Sequence, residues 1–423
     1  MLWARSRAKC HTSVMSFAVN VAVRTRFRRA RRRLTAIVTV NEGLPALACL
    51  DVVERRMTAP RPTASHLASL DVVRFAAAMA VVAFHFLYRG AVDETFTTVR
   101  FETGALGELV VEHLYLGVHL FFVVSGFVIM ASVRDRDALA FAIARFVRLW
   151  PVYALCVTIT AVVLLFAQDG RFPMSGATWA ANLSFVAPLF GHPFADGVYW
   201  SIVLEIVFYG WVTIMIAVGV LPRHLLAFSA AWLALAGSNE LFADSEALRL
   251  GFATRYAPWF LFGALMHHLV SRGSRAVALL LLLLTVALSM HNVVDEHLEV
   301  AARYGSEPTV PTVMLLNAAL LLVFLAALHW HFALAPRPWL VTLGALTYPL
   351  YLLHQNIGYI ALERLSPMVG RHAALVVTVA AALIAAWAIT RFFDAPARRA
   401  LRRLIASLLA YIPLPGMRSA TEG

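Results

Sequence analysis

Residues 70–88 read LDVVRFAAAMAVVAFHFLY, which is apolar and long enough to cross a bilayer as one helix. Arg74 and His85 stand toward its two ends, with ten uncharged residues between them. Their offset of eleven positions is about three helical turns, so both side chains are expected on one face, roughly 16 Å apart. Ionisable side chains inside membrane helices are costly and usually have a partner or a task. This pair therefore predicts a functional face on a membrane-spanning helix.

The composition extends this interpretation to the whole chain. Hydrophobic residues make up 61% and charged residues 14% of the 423 residues, whereas soluble domains carry roughly 25% charged residues. The mean hydropathy is +0.74. The formal charge of +12 lies in short clusters between hydrophobic runs, which is typical of cytoplasmic loops and argues against nucleic-acid binding. We therefore expect a polytopic membrane protein.

Hydrophobic segments of helical length recur along the chain, and we expect each to cross the bilayer as a helix. The fold class predicted is all-α, a polytopic membrane protein with about ten transmembrane helices. The ten segments are 70–88, 115–132, 149–167, 198–218, 224–239, 251–271, 276–291, 312–331, 340–361 and 372–393. A shorter piece, residues 179–190, is expected to be interfacial or re-entrant.

Charges alternate between successive loops, which predicts the orientation. The basic loops contain Arg134, Arg136, Arg145, Arg148, Arg223, Arg272, Arg275, Arg337, Arg391, Arg398, Arg399, Arg402 and Arg403. The acidic loops contain Asp93, Glu94, Glu102, Glu108, Glu112, Glu240, Asp244, Glu246, Asp295, Glu296, Glu299 and Glu307. By the positive-inside rule, both termini are cytoplasmic and the acidic loops face outward.

The predicted membrane domain covers residues 67–403. Residues 1–66 form a basic extension that either binds anionic lipid head groups or has no function of its own. We favour the second interpretation, with a disordered segment or a start placed too early, in which case Met57 opens the protein. Residues 404–423 form a short tail. The three cysteines, Cys10, Cys49 and Cys156, have no metal-binding or redox spacing, so no metal site is predicted.

Topology brings two groups of ionisable side chains to opposite sides of the membrane. Four of them, from four helices, fall in one layer near the outer surface: His85, His119, Glu205 and His354. Three arginines lie toward the cytoplasm: Arg74, Arg145 and Arg148. Guanidinium groups match phosphates, and a histidine can take a proton from a hydroxyl, with Glu205 as its partner. The spacing of Arg74 and His85 is comparable to an extended pantetheine arm, which favours a coenzyme A thioester as donor.

Less specific explanations exist for each of these residues. Arg145 and Arg148 are also what positive-inside anchors look like, and a lone membrane histidine such as His119 is often a packing residue. Ser125 and Gly126 suit close helix packing. Glu205 is the hardest to explain in this way, because a single carboxylate in an apolar helix requires a partner.

Six short motifs in order along residues 70–400 resemble those of the acyltransferase-3 family, the integral-membrane O-acyltransferases of bacteria. They are the Arg74–His85 pair; His119 with Phe121, Phe122, Ser125, Gly126 and Phe127; Arg145, Arg148, Pro151 and Tyr153; Trp200, Ser201, Glu205, Phe208 and Tyr209; Tyr348, Tyr351, His354 and Gln355; and Asp394 with Pro396.

The resemblance implies ten spanning helices and transfer of an acetyl or similar acyl group from acyl-CoA to a carbohydrate hydroxyl. His85 and Arg74 would be catalytic, and Glu205 is placed with them. The substrate-binding residues expected are Arg145, Arg148, Ser125, His119, Trp200, Tyr348, Tyr351 and His354. We expect no tightly bound cofactor, acyl-CoA (acetyl-CoA first) as donor substrate, a lipid bilayer and a carbohydrate acceptor as partners, and location in the bacterial inner membrane.

Two other functions are compatible with intramembrane charges. The first is a transporter or exporter of a glycan or glycolipid, which the lack of a repeated half disfavours. The second is a non-catalytic member of a polysaccharide assembly machine. For the enzyme, direct transfer and transfer through a covalent intermediate remain open.

Overall fold

The computed structural model describes residues 68–90, 97–102, 104–133, 137–271, 275–307, 309–330 and 337–410. All its regular elements are helical, so the all-α prediction is confirmed for these residues. The α-helices are α1 (Ala68–Ala83), α2 (Gly104–Val111), α3 (Gly117–Val133), α4 (Ala138–Ala167), α5 (Gly176–Asn182), α6 (Tyr199–Ala217), α7 (Leu225–Ser238), α8 (Glu246–Phe252), α9 (Ala257–Val270), α10 (Arg275–Tyr304), α11 (Val310–Trp330), α12 (Pro338–Leu353), α13 (Gln355–Val369), α14 (Arg371–Ala388) and α15 (Ala395–Ala410).

The chain divides into two units, of which the first comprises residues 60–404. Of the second unit the structure describes residues 405–410, the end of α15. Several predictions lie outside the described residues: the extension 1–66 with Met57, residues 411–423 of the tail, Cys10 and Cys49, and the loop charges Asp93, Glu94, Arg134, Arg136 and Arg272.

Eight helical segments in the described ranges are long and apolar enough to cross a bilayer, so the chain is a multi-pass membrane protein. They are Ala68–Arg89, Leu109–Val133, Ala138–Ala167, Tyr199–Ala217, Leu225–Ala243, Arg275–Tyr304, Val310–His329 and Arg371–Ala410. The remaining two predicted segments are divided into shorter helices. Segment 251–271 spans the end of α8 and α9, and segment 340–361 spans α12 and the start of α13.

Two helices extend well beyond their hydrophobic segments. Helix α4 begins eleven residues before position 149, where Asp137 caps it by accepting a hydrogen bond from the Ala140 amide at 2.7 Å. Helix α10 continues to Tyr304 and carries its last acidic residues on helical turns. Arg145, Arg148 and Glu296 therefore lie on helices, and not in the loops where hydropathy placed them, because backbone hydrogen bonding continues past the apolar window.

Close packing of α3 against α9 forms the centre of the 60–404 unit. A Cβ atom added at Gly126 would lie 1.9 Å from the Phe260 carbonyl oxygen, and one at Gly263 would lie 1.9 Å from that of Val123. Backbones can approach this closely only where the residue facing the other helix has no Cβ atom. The role in close helix packing suggested for Gly126 therefore agrees with its position in the structure.

Two helix irregularities position the histidines predicted for the site. Helix α1 continues into a π-helical turn, Phe84–Arg89, which contains His85. Helix α12 contains Pro349 and ends at Leu353, and His354 stands between α12 and α13. Proline removes one backbone donor and weakens the helix around it. π-Helical turns are often found at functional sites.

Candidate active site

His85 and His354 contact each other in the interior of the protein. Nε2 of His354 lies 3.0 Å from Nδ1 of His85, and the ring centroids are 4.9 Å apart. The two residues are 6% and 1% exposed. Phe84 and Phe86 place ring edges against the pair. Two elements distant in sequence thus form one imidazole pair.

The hydrogen bonds of the pair assign its tautomers. Nδ1 of His354 lies 2.9 Å from the Tyr351 carbonyl oxygen, which can only accept, so this nitrogen carries the hydrogen. Nε2 of neutral His354 then accepts from Nδ1–H of His85, which also lies 2.8 Å from the Val81 carbonyl. The lone pair of neutral His85 is consequently on Nε2. This nitrogen is the one available as a proton acceptor.

A polar chain leads from His85 to a buried carboxylate. Nη1 of Arg89 lies 3.4 Å from Nε2 of His85 and donates to Oε1 of Gln355 at 3.1 Å. Gln355 donates to Asn356, whose backbone amide donates to Oδ2 of Asp196 at 2.9 Å. Asp196 is fully buried in the connection before α6, and this burial raises its pKa to about 7. These hydrogen bonds hold the start of α13, and with it His354, against the connection before α6.

A cavity of about 250 Å³ runs between α1, α3, α4, α6, α12 and the π-helical turn before α15. Seven predicted site residues line it: Arg74, Ser125, Arg145, Arg148, Glu205, Tyr348 and Tyr351. Tyr351 connects the cavity to the histidine pair, because its side chain lines the cavity and its ring centroid is 5.8 Å from that of His354. Its hydroxyl is 2.7 Å from the Ser201 hydroxyl, which also lines the cavity.

Charge is concentrated in one part of this cavity. Four arginines and three carboxylates line it: Arg74, Arg145, Arg148, Arg398, Asp71, Glu205 and Asp394. Asp394 pairs with Arg398 one turn away, and Arg145 lies over the Phe141 and Tyr209 rings. A cluster with an excess of guanidinium groups can bind an anionic ligand such as a phosphate.

Glu205 lies in this arginine cluster, whereas the sequence predicted it as the partner of His85. Its carboxylate accepts hydrogen bonds from Ser125, at 3.2 Å, and from Tyr209. It is also close enough to Arg74 and Arg145 to interact with them electrostatically. The four groups predicted in one layer therefore do not form one cluster, because counting residues along each helix gives no information on helix rotation.

His119 and Trp200 face away from the cavity, on the opposite sides of α3 and α6. Nε2 of His119 lies 2.7 Å from a Glu296 oxygen, an ion-pair distance whose angles do not suit a hydrogen bond. The His119 ring packs edge-on against Trp259 at 4.2 Å. Trp200 packs against Tyr256 at 5.2 Å. In this structure both residues occupy packing positions, and His85 itself lies behind the cavity wall.

Sequence reasoning missed several residues that the geometry brings to the site. Tyr209 and Asp394 belong to motifs that the sequence analysis quoted, yet they received no role. Arg89 follows His85 by four positions, which is the spacing of helical neighbours. Asp196 lies in a loop without a motif, and its contact with the start of α13 depends on tertiary structure.

The comparisons with known proteins agree with the motifs. No curated protein and no solved structure matches the chain significantly. Residues 67–391 match a family described as "Acyltransferase domain", which is the acyltransferase-3 family. This match covers α1 to α14 and every residue of the histidine pair and the arginine cluster except Asp394 and Arg398. The chain is therefore a membrane acyltransferase and belongs to the acyltransferase-3 family.

Proposed function

We propose that the protein is an O-acyltransferase that moves an acetyl or other short acyl group from acyl-CoA to a carbohydrate hydroxyl. The observation that carries this proposal is a single cavity with the arginine cluster in one part and, behind Tyr351, the His85–His354 pair. This arrangement supports a path on which an anionic donor would bind at the arginines, with its thioester toward Tyr351 and the proton-accepting pair behind it. The bacterial inner membrane is the location we propose, with lipopolysaccharide, exopolysaccharide, glycolipid or a glycosylated product as the acceptor class.

The arginine cluster supports a nucleotide-phosphate donor. The guanidinium groups of Arg74, Arg145 and Arg148 present planar donors that match phosphate oxygens. Their side chains line the cavity together with Tyr209 and Glu205. Phosphates held there would leave the pantetheine arm free to extend along the cavity toward Tyr351. Acyl-CoA combines these features in one molecule.

The histidine pair supports hydroxyl activation. In the direct route, Nε2 of His85 accepts the proton of the acceptor hydroxyl as its oxygen bonds to the thioester carbon. The C–S bond then breaks, and the coenzyme A thiolate takes the proton back from the imidazolium. Nδ1–H of His85 stays oriented by Val81 and His354 throughout. A two-step route would place the acyl group on the protein first, and the geometry is compatible with both routes.

Replacing His85 by alanine tests this proposal. His85→Ala should reduce acylation of the host glycans by 10²-fold or more, roughly the contribution of a general base. His224→Ala is the matched control, because His224 is an exposed histidine in the connection between α6 and α7. Mass spectrometry of surface glycans and small glycosylated products reports both.

The outcomes separate the proposal from an exporter. Persistent acylation in His85→Ala cells that contain normal amounts of the protein would show that His85 is not catalytic. Loss of the glycan from the surface, with its acyl groups intact inside the cell, would show export. Loss of acyl groups alone, from both intracellular and surface glycan, is the expected result.

A further inference from the structure

A second cluster of histidine and carboxylate side chains lies at the other face of α3, outside the cavity. It consists of Glu112 and His113, which follow α2, His297 near the end of α10, and Thr309 before α11. The first three are 9%, 2% and 1% exposed. Their nearest ligand atoms all lie within 4.8 Å of one another. The His113 and His297 rings are stacked at 4.8 Å.

Three acceptor atoms of this cluster converge on one hydroxyl group. Oγ1 of Thr309 is 3.1 Å from Oε1 of Glu112, 3.0 Å from Nε2 of His113 and 3.2 Å from Nε2 of His297. Nδ1 of His113 lies 2.8 Å from the Leu109 carbonyl oxygen and so carries the hydrogen of the neutral ring. Nε2 of His113 is then a lone-pair atom.

His297 presents a lone pair to the same point. Its Nε2 accepts a hydrogen bond from the Thr309 backbone amide at 3.0 Å, which places the ring hydrogen on Nδ1. Within the described part of the chain that Nδ1 is buried and has no hydrogen-bond partner. The Thr309 amide serves Nε2 of His297, and the single hydrogen of the Thr309 hydroxyl can serve only one further acceptor, so two donors face three acceptor atoms; an ion bound at Nε2 of His297 would replace the amide hydrogen bond. The cluster therefore contains more lone pairs than donors.

We propose that Glu112, His113 and His297 bind a divalent transition-metal ion, with zinc as the best-fitting case, and that Thr309 or a water completes four ligands. Two imidazoles and one carboxylate form a common ligand set for zinc. A metal-bound histidine usually donates its other ring hydrogen to a carbonyl or carboxylate, as His113 does to Leu109. Zinc–ligand distances of about 2.1 Å require the ligand atoms to close by about 1 Å.

The site would connect the segment before α3 to the end of α10. His119, on the first turn of α3, pairs with Glu296 beside His297, so an ion at this position would also fix the face of α3 that points away from the cavity. Its role would be structural, because the described cavity lining includes none of its ligands. The spacing of the three cysteines gives no sign of such a site, because its residues are histidines and a carboxylate from segments far apart in the chain.

Zinc content and thermal stability of the full-length detergent-purified protein test this inference, with an affinity tag that contains no histidine. After removal of metal with a chelator and re-equilibration with zinc chloride, we expect about one tightly held zinc per chain and a higher Tm with zinc than with chelator. Failure of the wild-type protein to retain zinc, with an unchanged Tm, would overturn the proposal without any variant.

Matched variants localise the ion. His113→Ala and His297→Ala should each lose the retained zinc and the zinc-dependent rise in Tm. His291→Ala should keep both, since His291 lies on the same helix, half-exposed and paired with Asp295. Thr309→Ala removes the central hydroxyl and should still retain zinc. Zinc retention by His113→Ala and His297→Ala, or its loss in His291→Ala, would contradict a site at this cluster.

Discussion

The hydrogen bonds of Glu205 favour one of two roles that its sequence motif does not distinguish. These roles are proton transfer with His85 and charge balance among the arginines. As the partner of His85, Glu205 would act on proton transfer. In the structure its oxygen accepts from Ser125 and Tyr209, and Arg74 and Arg145 are its charged neighbours. Its negative charge therefore offsets part of the positive charge that we propose for binding the donor phosphates.

Glu205→Gln should consequently tighten donor binding. The amide oxygen can still accept from Ser125 and Tyr209, while the loss of one negative charge strengthens attraction of phosphates by ~1 kcal/mol, or about fivefold in Kd. Calorimetric titration of the purified protein with acetyl-CoA measures this change. Tyr209→Phe is the control, since it removes a hydrogen bond without changing charge and should leave Kd within about twofold. A collapse of kcat at unchanged donor Kd would instead place Glu205 in the proton-transfer step.

The histidine pair shows what the sequence could and could not predict about single side chains. The positive-inside rule and residue counting placed His85 and His354 at one depth, and the structure brings their rings into contact. The same counting placed His119 and Glu205 with them, although His119 faces Glu296 and Glu205 faces Tyr209. Hydropathy predicts how deep a residue lies in the membrane. The direction in which its side chain points depends on helix rotation, which packing determines.

Among the structural elements, the connection before α6 depends on one buried carboxylate, Asp196. Its oxygens accept from the backbone amides of Val198, at 3.1 Å, and Asn356, at 2.9 Å. Burial raises the pKa of Asp196 from 3.8 to about 7, while those amides and Arg89 oppose the shift. The native protein therefore holds a proton that the unfolded chain releases at lower pH.

This difference predicts a stability that falls as pH rises. Below about pH 4 both states are protonated, and between about pH 4 and 7 the native state alone keeps the proton, so stability decreases by ~1.4 kcal/mol per unit. Above about pH 7 this contribution is constant. Thermal scans in detergent from pH 5 to 8 should show a Tm decline in the wild type that Asp196→Asn lacks. The exposed Asp244→Asn control should keep the decline, and parallel curves for wild type and Asp196→Asn would contradict the assignment.

The contact between α3 and α9 leads to a prediction about stability. Gly126→Ala places a methyl group 1.9 Å from the Phe260 carbonyl oxygen, so the two helices must separate. We expect a loss of about 1–3 kcal/mol, which is typical of overpacking. Gly210→Ala on α6 is the control, because a Cβ atom there meets nothing within 4 Å. Tm and the yield of monodisperse protein in detergent measure both variants, and equal values for the two would refute a tight contact at Gly126.

Helix existence was easier to predict than helix ends. Every hydrophobic segment is mostly helical in its described residues, with breaks inside 251–271 and 340–361, and α4 and α10 extend past their windows because polar side chains find partners within the fold. Arg145 lies against Tyr209, and Glu296 accepts from Tyr256 at 2.9 Å. Similarly, no hydropathy window predicts the break at His354, since the segment is apolar on both sides of the short polar run His354, Gln355 and Asn356. These features arise from tertiary contacts that a local pattern does not contain.

For the whole molecule, charge is distributed so that the two substrates would approach from opposite sides. Several arginines of the described residues lie on the helices that line the cavity at its guanidinium cluster, including Arg148 and Arg398. Carboxylates such as Glu240, Glu246 and Glu299 lie in or beside the connections at the other ends, where Arg249 and Arg255 pair with them. With the positive-inside rule, this arrangement predicts that the arginine cluster faces the cytoplasm, which is the side from which the proposed donor would enter.

The two ends of α10 allow this orientation to be measured. The helix has 30 residues, so its ends are about 45 Å apart, more than the hydrocarbon thickness of a bilayer. Arg275 at its start and Glu307 just beyond its end are both exposed. In a background with Cys10, Cys49 and Cys156 replaced, a membrane-impermeant maleimide should label Glu307→Cys in intact spheroplasts and Arg275→Cys only after lysis. The reverse pattern would place the arginine cluster outside, where acyl-CoA is absent, and would remove the physical basis for assigning it to a cytoplasmic donor.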